Sequence, residues 1–361
     1  MQMKLSLKKK LAFELFRQYK RNTVKLHELN YLFWECTLRC NLNCLHCGSD
    51  CRTSSSAKDM PTQDFIKVID KIIPHINPNK TMIVFTGGEP LMRKDLEQCG
   101  KILSGYGFPW GLVSNGFLLN ETRLETLLDA GMTSTTISLD GFEKAHNTLR
   151  RNNSSFEKAI TAIQLLATIK DFRFDVVTCV SSLNFEELEN FKNYLIDIGV
   201  KEWRIFTIFP IGRADQNAAL QLNSNQFKTL FDFIAETRKE NQIKLNYGCE
   251  GFLGNYESEV RDNFFFCRAG VNIASVLVDG SISACPSLRS NFIQGNIYKD
   301  DFMQVWNEKF IPHRNREWTK TGICADCSSY KYCEGNSLHL RNEKRELLFC
   351  HLRKMELADR K

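Results

Sequence analysis

Three thiols crowd into eight residues, Cys40-Asn41-Leu42-Asn43-Cys44-Leu45-His46-Cys47. An odd number cannot pair off into disulfides without leaving one over. With three and then two residues between them, they can converge on three corners of one iron–sulfur cube. The fourth iron is then open to a ligand that is not protein. An iron with a free position is where a small molecule is bound and reduced, so the chain reads as an enzyme. Cys36 and Cys51 flank the triplet but break its spacing and are read as non-ligands.

A second group of cysteines lies late in the chain. Cys324-Ala325-Asp326-Cys327 followed by Cys333 is a strong metal signature, because a two-residue spacing lets both thiolates meet one metal from a single turn. Cys350 can supply a fourth ligand, and on spacing alone tetrahedral zinc fits this set. Upstream, Cys267 and Cys285 bracket a short segment, with Cys249 before them. Of the 14 cysteines only Cys99 and Cys179 lie between the two groups, so both groups are expected to bind metal.

The thiols must be held by regular elements. From about residue 29 to 209 short apolar runs alternate with helical patterns. The strand candidates are Tyr31–Glu35, Met82–Thr86, Gly111–Ser114, Ser134–Leu139, Phe174–Val180 and Trp203–Phe209. Six strands with intervening helices predict a parallel sheet, open or curled into a partial barrel. Asn184 followed by Glu187 predicts a capped helix burying Phe185, Leu188, Phe191 and Leu195. The triplet then falls at the carboxyl end of the first strand, where such folds bind ligands. At the end of the second strand stands Thr86-Gly87-Gly88-Glu89-Pro90. There two glycines let backbone approach a ligand, and Glu89 offers a carboxylate to an ammonium group. Past Pro210 one more helix, with Phe227, Leu230, Phe231 and Ile234 on one face, leads into glycine-rich chain with little regular structure. Asp279-Gly280 marks a hairpin between Ile273–Val278 and Ser281–Ala284.

The motif Cys40-x3-Cys44-x2-Cys47, with Gly87-Gly88-Glu89-Pro90, resembles the radical S-adenosylmethionine (SAM) superfamily over roughly residues 30–210. The resemblance implies an α/β fold, a partial (β/α)6 TIM-like barrel. It also implies a [4Fe-4S] cluster on Cys40, Cys44 and Cys47 whose open iron binds the amino and carboxylate groups of SAM. One electron from the reduced cluster then yields methionine and a 5′-deoxyadenosyl radical. By the same resemblance Gly87, Gly88 and Glu89 hold the methionine amine. Ser138 and Asp140, ending the fourth strand, sit where ribose or carboxylate contacts occur. For these two a buried strand-end role stands beside the cofactor role. Asn115-Gly116 faces the site, and Ile211, Gly212 and Arg213 match an adenine-side stretch. Arg213 equally suits a surface salt bridge, and His46 suits either the adenine or a packed supporting place.

The late cysteines resemble the SPASM domain, the extension of radical SAM enzymes that modify ribosomally made peptides and proteins. It implies a small irregular domain with one or two auxiliary iron–sulfur clusters. One would take Cys324, Cys327, Cys333 and Cys350; the other would take Cys267, Cys285 and Cys249. The family usually has a further cysteine four positions after Cys333, where this chain has Ser337. The first auxiliary cluster is therefore expected to keep an open position, to be a two-iron cluster, to borrow His339, or to be lost. Pro286 after Cys285 replaces the Asp of a sulfatase-maturating subgroup and disfavours that activity.

The 361 residues read as an N-terminal basic amphipathic helix (1–28), a radical SAM core (29–213), a linker helix region (214–248) and the SPASM region (249–361). The helix carries Leu5, Leu11, Phe13, Leu15 and Phe16 among lysines, which break the apolar core a secretory signal needs. It is expected to pack beside the core, or else to touch a membrane surface or an acidic partner. No run of about 18 apolar residues predicts a membrane span. A cytoplasmic location follows as the expectation. A net charge of +6 is modest and does not point to nucleic acid. The expected partners are a peptide or protein substrate and a reducing donor such as flavodoxin or ferredoxin. A cofactor-precursor maturase and a non-catalytic iron–sulfur or zinc scaffold are the alternatives.

Overall fold

The computed structural model describes residues 6–55, 57–208 and 210–358; Leu5 and Phe209 lie outside them. Six strands form where the apolar runs fall: β1 (Tyr31–Thr37), β2 (Met82–Gly87), β3 (Trp110–Ser114), β4 (Met132–Ser138), β5 (Arg173–Val180) and β6 (Glu202–Thr207). Each pairs in parallel with the next. All six carboxyl ends therefore meet at one edge of the sheet, which is where the cysteine loop and the glycine pair emerge.

The sheet does not close. Its order is β10-β9-β8-β1-β2-β3-β4-β5-β6-β7, with β7 (Lys244–Tyr247) parallel to β6 at one end. At the other, β8 (Ile273–Val276) lies parallel to β1, and β9 (Ser281–Ser283) and β10 (Gly295–Asn296) follow antiparallel. The hairpin turn is at Asp279-Gly280 as its residues suggest. Gly280 has φ +83°, and Asp279 Oδ1 accepts the Ser281 N–H at 2.9 Å. The first strand of that hairpin stops at Val276, short of the expected Val278, because the Val278 N–H turns to Glu35 Oε1 at 3.3 Å.

Helix α1 (Leu7–Leu26) packs on the later chain, Phe13 meeting Phe252, Phe264 and Tyr332. Helices α2 (Thr62–Ile72), α3 (Leu96–Gly105), α4 (Glu121–Asp129), α5 (Glu143–Arg150), α6 (Ser155–Ala167), α7 (Leu188–Asp197) and α8 (Ser224–Glu240) surround the sheet. Their apolar stripes meet strand residues in a continuous core. Trp34 of β1 stacks on Phe65 of α2 with ring centroids 4.4 Å apart, and Phe227, Leu230, Phe231 and Ile234 of α8 are buried. Asn184 corrects one expectation. It caps no helix; its Oδ1 accepts the Ser181 N–H, and its amide donates to the carbonyls of Asp140 and Cys179. It ties the end of β4 to the end of β5, and a short 3-10 turn, Phe185–Glu187, leads into α7.

Candidate iron–sulfur and cofactor site

The cysteine loop follows β1 and is pinned at several backbone points. The Cys40 N–H donates to the Arg52 carbonyl at 3.0 Å, Leu45 N–H to Leu149 at 2.8 Å, and Arg213 N–H to Cys47 at 3.1 Å. Arg213 adds its side chain: Nε donates to the Cys44 carbonyl at 2.7 Å, and Nη1 to Asp50 at 2.8 Å and to the Cys51 carbonyl at 3.0 Å. Gly212, at φ +62°, lets this turn close, since a Cβ there would lie 2.6 Å from the carbonyl oxygens of Cys47 and Gly48. The surface salt bridge foreseen for Arg213 is part of this clamp.

A cavity of about 140 Å³ lies against the loop. Cys40, Cys44 and Cys47 line it, together with Gly87, Gly88, Ser138 and Arg213. Burial pushes the Cys40 thiol up to about 12, with Glu89 and its neighbours Cys44 and Cys47 adding to the rise; burial also raises Cys44. Cys40 and Cys44 are costly as thiolates here unless a cationic centre sits between them, and a three-thiolate iron–sulfur cube supplies one. Cys47, by contrast, is held below the ordinary thiol value by its hydrogen bond with Cys51. The donor set thus fits the cluster, and the glycine wall leaves backbone exposed beside it. The Gly88 N–H donates to Thr37 at 2.8 Å and the Glu89 N–H to Arg39 at 2.9 Å, so the second strand-end loop is sewn to the cysteine loop. Cys51, read from its spacing as a non-ligand, also lines this cavity, and its thiol hydrogen-bonds Cys47. Cys36 lies deeper, its thiol donating to the Thr86 carbonyl at 3.4 Å.

Glu89 and Asp140 stand behind the wall. Glu89 is fully buried, and burial raises its carboxyl. Its Oε1 accepts the Leu91 N–H at 3.1 Å and the Ser114 hydroxyl at 2.9 Å, and its Oε2 the Asn115 N–H at 2.8 Å. A carboxylate offers about four lone-pair positions, so one on Oε2 is left for an ammonium donor. Asn115 in turn donates to Cys40 Sγ at 3.9 Å. Asp140 Oδ2 accepts Arg150 Nε at 2.8 Å and Nη2 at 2.7 Å, and its Oδ1 accepts the Cys179 N–H at 2.9 Å. Burial works against its charge, but Arg150 and the two histidines beside it, His46 and His146, hold the carboxyl below its ordinary range. Arg150 reaches on to Cys44 Sγ at 3.8 Å. Arg150 was not singled out from sequence; it closes ten residues of chain through α5, and no motif marks that.

A second cavity, about 670 Å³, shares His46 with the first. It runs between the ends of β5 and β6 and the later chain at 287–292 and 339–343. Burial depresses the His46 imidazole to about 4, and its Nε2 faces Asp140 Oδ2 at 3.5 Å. Glu250 on this cavity also escaped sequence reading, although it follows Cys249. It is fully buried, and its Oε2 accepts the Thr207 N–H at 2.9 Å, the Thr207 hydroxyl at 2.7 Å and the Tyr247 hydroxyl. Its Oε1 has no hydrogen-bond partner among the described residues.

The late cysteines gather as two sets. Cys350 is raised by burial and then by the thiols of Cys324 and Cys327; Cys333 is raised by burial and then by Cys350, with Cys324 adding. Burial pushes Cys285 up to about 12, opposed by Ser287, with Cys249 and Cys267 adding to the rise. For Cys267 burial is outweighed by Arg316 and by the N–H groups of Leu338 and Ala269, which hold it below the ordinary thiol value. Ser337, where the missing cysteine was expected, is buried and donates its hydroxyl to the Cys249 carbonyl. His339 lines the larger cavity, its imidazole depressed to about 4 by burial.

Residues 34–195 match the radical SAM superfamily, and residues 267–328 match SPASM, an iron–sulfur cluster-binding domain. The chain thus carries a radical SAM domain followed by a SPASM domain. These domains imply a [4Fe-4S] cluster with SAM and auxiliary clusters. An AdoMet-dependent heme synthase of Methanosarcina barkeri is 28% identical over 324 residues, covering 84% of this chain and 89% of that one. The mycofactocin maturase MftC of Mycobacterium tuberculosis is 26% identical over 311 residues, covering 85% and 78%. Among solved structures, anSMEcpe with bound AdoMet and the Cp18Cys peptide shares the fold with a TM-score of 0.70 at 18% identity, covering 92% and 95%. Streptococcus suis SuiB bound to S-adenosylmethionine does so with a TM-score of 0.68 at 15% identity, covering 89% and 77%.

Proposed function

We propose that this chain reductively cleaves SAM and uses the resulting radical to oxidise or crosslink a peptide or protein side chain. Cys40, Cys44 and Cys47 are the ligands of the SAM-binding cluster, and Gly87, Gly88, Ser138 and Arg213 surround the cofactor. Glu89 offers its one remaining lone pair to the methionine amine, and Asp140 acts by holding Arg150 against Cys44. When bound, SAM on the reduced cluster supplies a radical that takes a hydrogen atom from a substrate carbon. Cys324, Cys327, Cys333 and Cys350 hold one auxiliary cluster, and Cys249, Cys267 and Cys285 hold the other. With its hydroxyl committed to Cys249, Ser337 leaves that second set at three thiols.

The observation that carries the substrate reading is the larger cavity, which meets the cluster cavity at His46 and is walled on its far side by later chain. Its size suits an inserted side chain with its flanking backbone. Its lining mixes apolar Phe206, Ile211, Leu288 and Phe292 with polar Thr207, Glu250 and Asn342, as an extended peptide needs. The maturase relative and the peptide-bound fold neighbour fit this reading. A small cofactor precursor is the second reading, favoured by the heme synthase relative.

Deuterium transfer separates them. Extract from the source cells grown on deuterated medium is split into macromolecular and small-molecule fractions and offered to the reconstituted enzyme. Deuterium entering 5′-deoxyadenosine from the macromolecular fraction supports the peptide reading. Transfer from the small-molecule fraction alone replaces it with the second.

A further inference from the structure

The face of α1 that looks away from the protein is not finished by it. The inward face is: Phe13 packs on Phe264 and Tyr332 at 4.8 Å, and Lys20 is buried with its Nζ 2.9 Å from the Tyr332 carbonyl and 3.1 Å from Glu334. Lys9 pairs with Glu259 at 3.1 Å near the helix start. The helix is thus fixed along its length, and its rotation is set. Of the five large apolar side chains left outside, Leu26 at 66% exposed ends the helix and four run along it, Leu7 at 75%, Leu11 at 59%, Leu15 at 74% and Tyr19 at 56%. Their spacing of four lays them in one line that drifts by about 40° per step.

Charge says what this line faces. Lys8, Lys10, Arg21 and Lys25 are exposed around it and form no ion pair among the described residues. Glu14, the one carboxylate on α1, is already taken by Arg17 at 2.7 Å and Lys331 at 2.9 Å. A projecting row of leucines flanked by free cations, with a tyrosine at its edge, matches a plane that is anionic at the surface and apolar beneath. No helix among the described residues is long and apolar enough to cross a bilayer, so such contact would be peripheral.

We propose that α1 docks this protein onto an anionic phospholipid surface through Leu7, Leu11, Leu15 and Tyr19, with Lys8, Lys10, Arg21 and Lys25 holding the headgroups. The full chain is sedimented with vesicles of phosphatidylcholine and phosphatidylglycerol, and with vesicles of phosphatidylcholine alone. The protein should pellet with the mixed vesicles, stay in solution with the neutral ones, and be released by high salt. A Leu11→Glu/Leu15→Glu variant should lose about tenfold or more of its binding, and Lys8→Ala/Lys10→Ala should lose part. Both keep the inward face, so unchanged helix content and melting show that the loss is not unfolding. Pelleting equally with both vesicles, no pelleting at all, or pelleting unaffected by Leu11→Glu/Leu15→Glu would overturn the proposal. So would self-association abolished by that variant in a protein that ignores the vesicles.

Discussion

Two N–H groups of Arg150 converge on one oxygen of Asp140, at 2.8 and 2.7 Å, in a pair buried behind the cluster loop. The guanidinium is neutralised on one side and still reaches Cys44 Sγ on the other. Asp140→Asn strands a buried cation and should cost about 3–5 kcal/mol, the usual penalty for halving such a pair. Urea unfolding checks this. In the Asp140→Asn/Arg150→Gln double variant the loss should be smaller than the sum of the single losses. Additive losses would mean that the pair is not coupled.

The glycine pair should be intolerant for a positional reason. A Cβ on Gly87 would lie 2.0 Å from the Thr37 carbonyl oxygen at φ +134°, and one on Gly88 2.1 Å from that of Arg39. A Cβ on Gly48 would meet nothing within 4 Å. Gly87→Ala should lose about 1–3 kcal/mol to strain and weaken SAM binding by tenfold or more. Gly48→Ala should bind SAM as the parent does. Equilibrium dialysis with labelled SAM tells them apart, and equal binding by all three proteins would refute the close-approach account.

Acid should destabilise the fold through its buried histidines, foremost His146 and His313, which burial depresses furthest. His146 accepts the Asp140 N–H at 2.9 Å and faces Arg150, Asp140 and His46. Neither ring nitrogen of His313 has a hydrogen-bond partner among the described residues, and Arg316, Arg314 and Arg345 surround it. Burial depresses both imidazoles to about 3. The unfolded chain takes up their protons below about 6.5 while the folded one does not, so stability is lost as pH falls through that window. Each contributes a slope of about 1.4 kcal/mol per pH unit. Urea midpoints at about pH 7 and about pH 5 should differ accordingly, and less so in His313→Gln. A flat profile would contradict the assignment.

Iron counting addresses the late thiols. Anaerobically reconstituted protein should hold about 10–12 irons, and Cys350→Ala about four fewer. Cys99→Ala, in the core and outside both proposed ligand sets, should hold the full complement. Zinc without iron in the later region would set the auxiliary assignment aside.

What could be read from sequence was what lies close along the chain. Cys40, Cys44 and Cys47 share one loop, so their spacing states their geometry directly. The glycine pair, the hairpin at Asp279-Gly280 and the stripe of α8 are equally local. Arg150 and Glu250 meet the site only through tertiary closure; no motif surrounds Arg150, and the one sign beside Glu250 is Cys249. Asn184 misled because the side chain that caps a helix can equally bridge two strand ends; here the carbonyls of Asp140 and Cys179 won. Nothing in Ile273–Val276 said that it would extend the sheet beside β1. Parallel pairing is chosen by packing over long separations, which periodicity along one segment does not encode.

The most direct measurement is 5′-deoxyadenosine release from anaerobically reconstituted protein given SAM and dithionite. Parent protein should release it, and Cys44→Ala should not. Undiminished release from Cys44→Ala, or none from the fully iron-loaded parent, would contradict the assignment of Cys40, Cys44 and Cys47 as the SAM-cleaving centre.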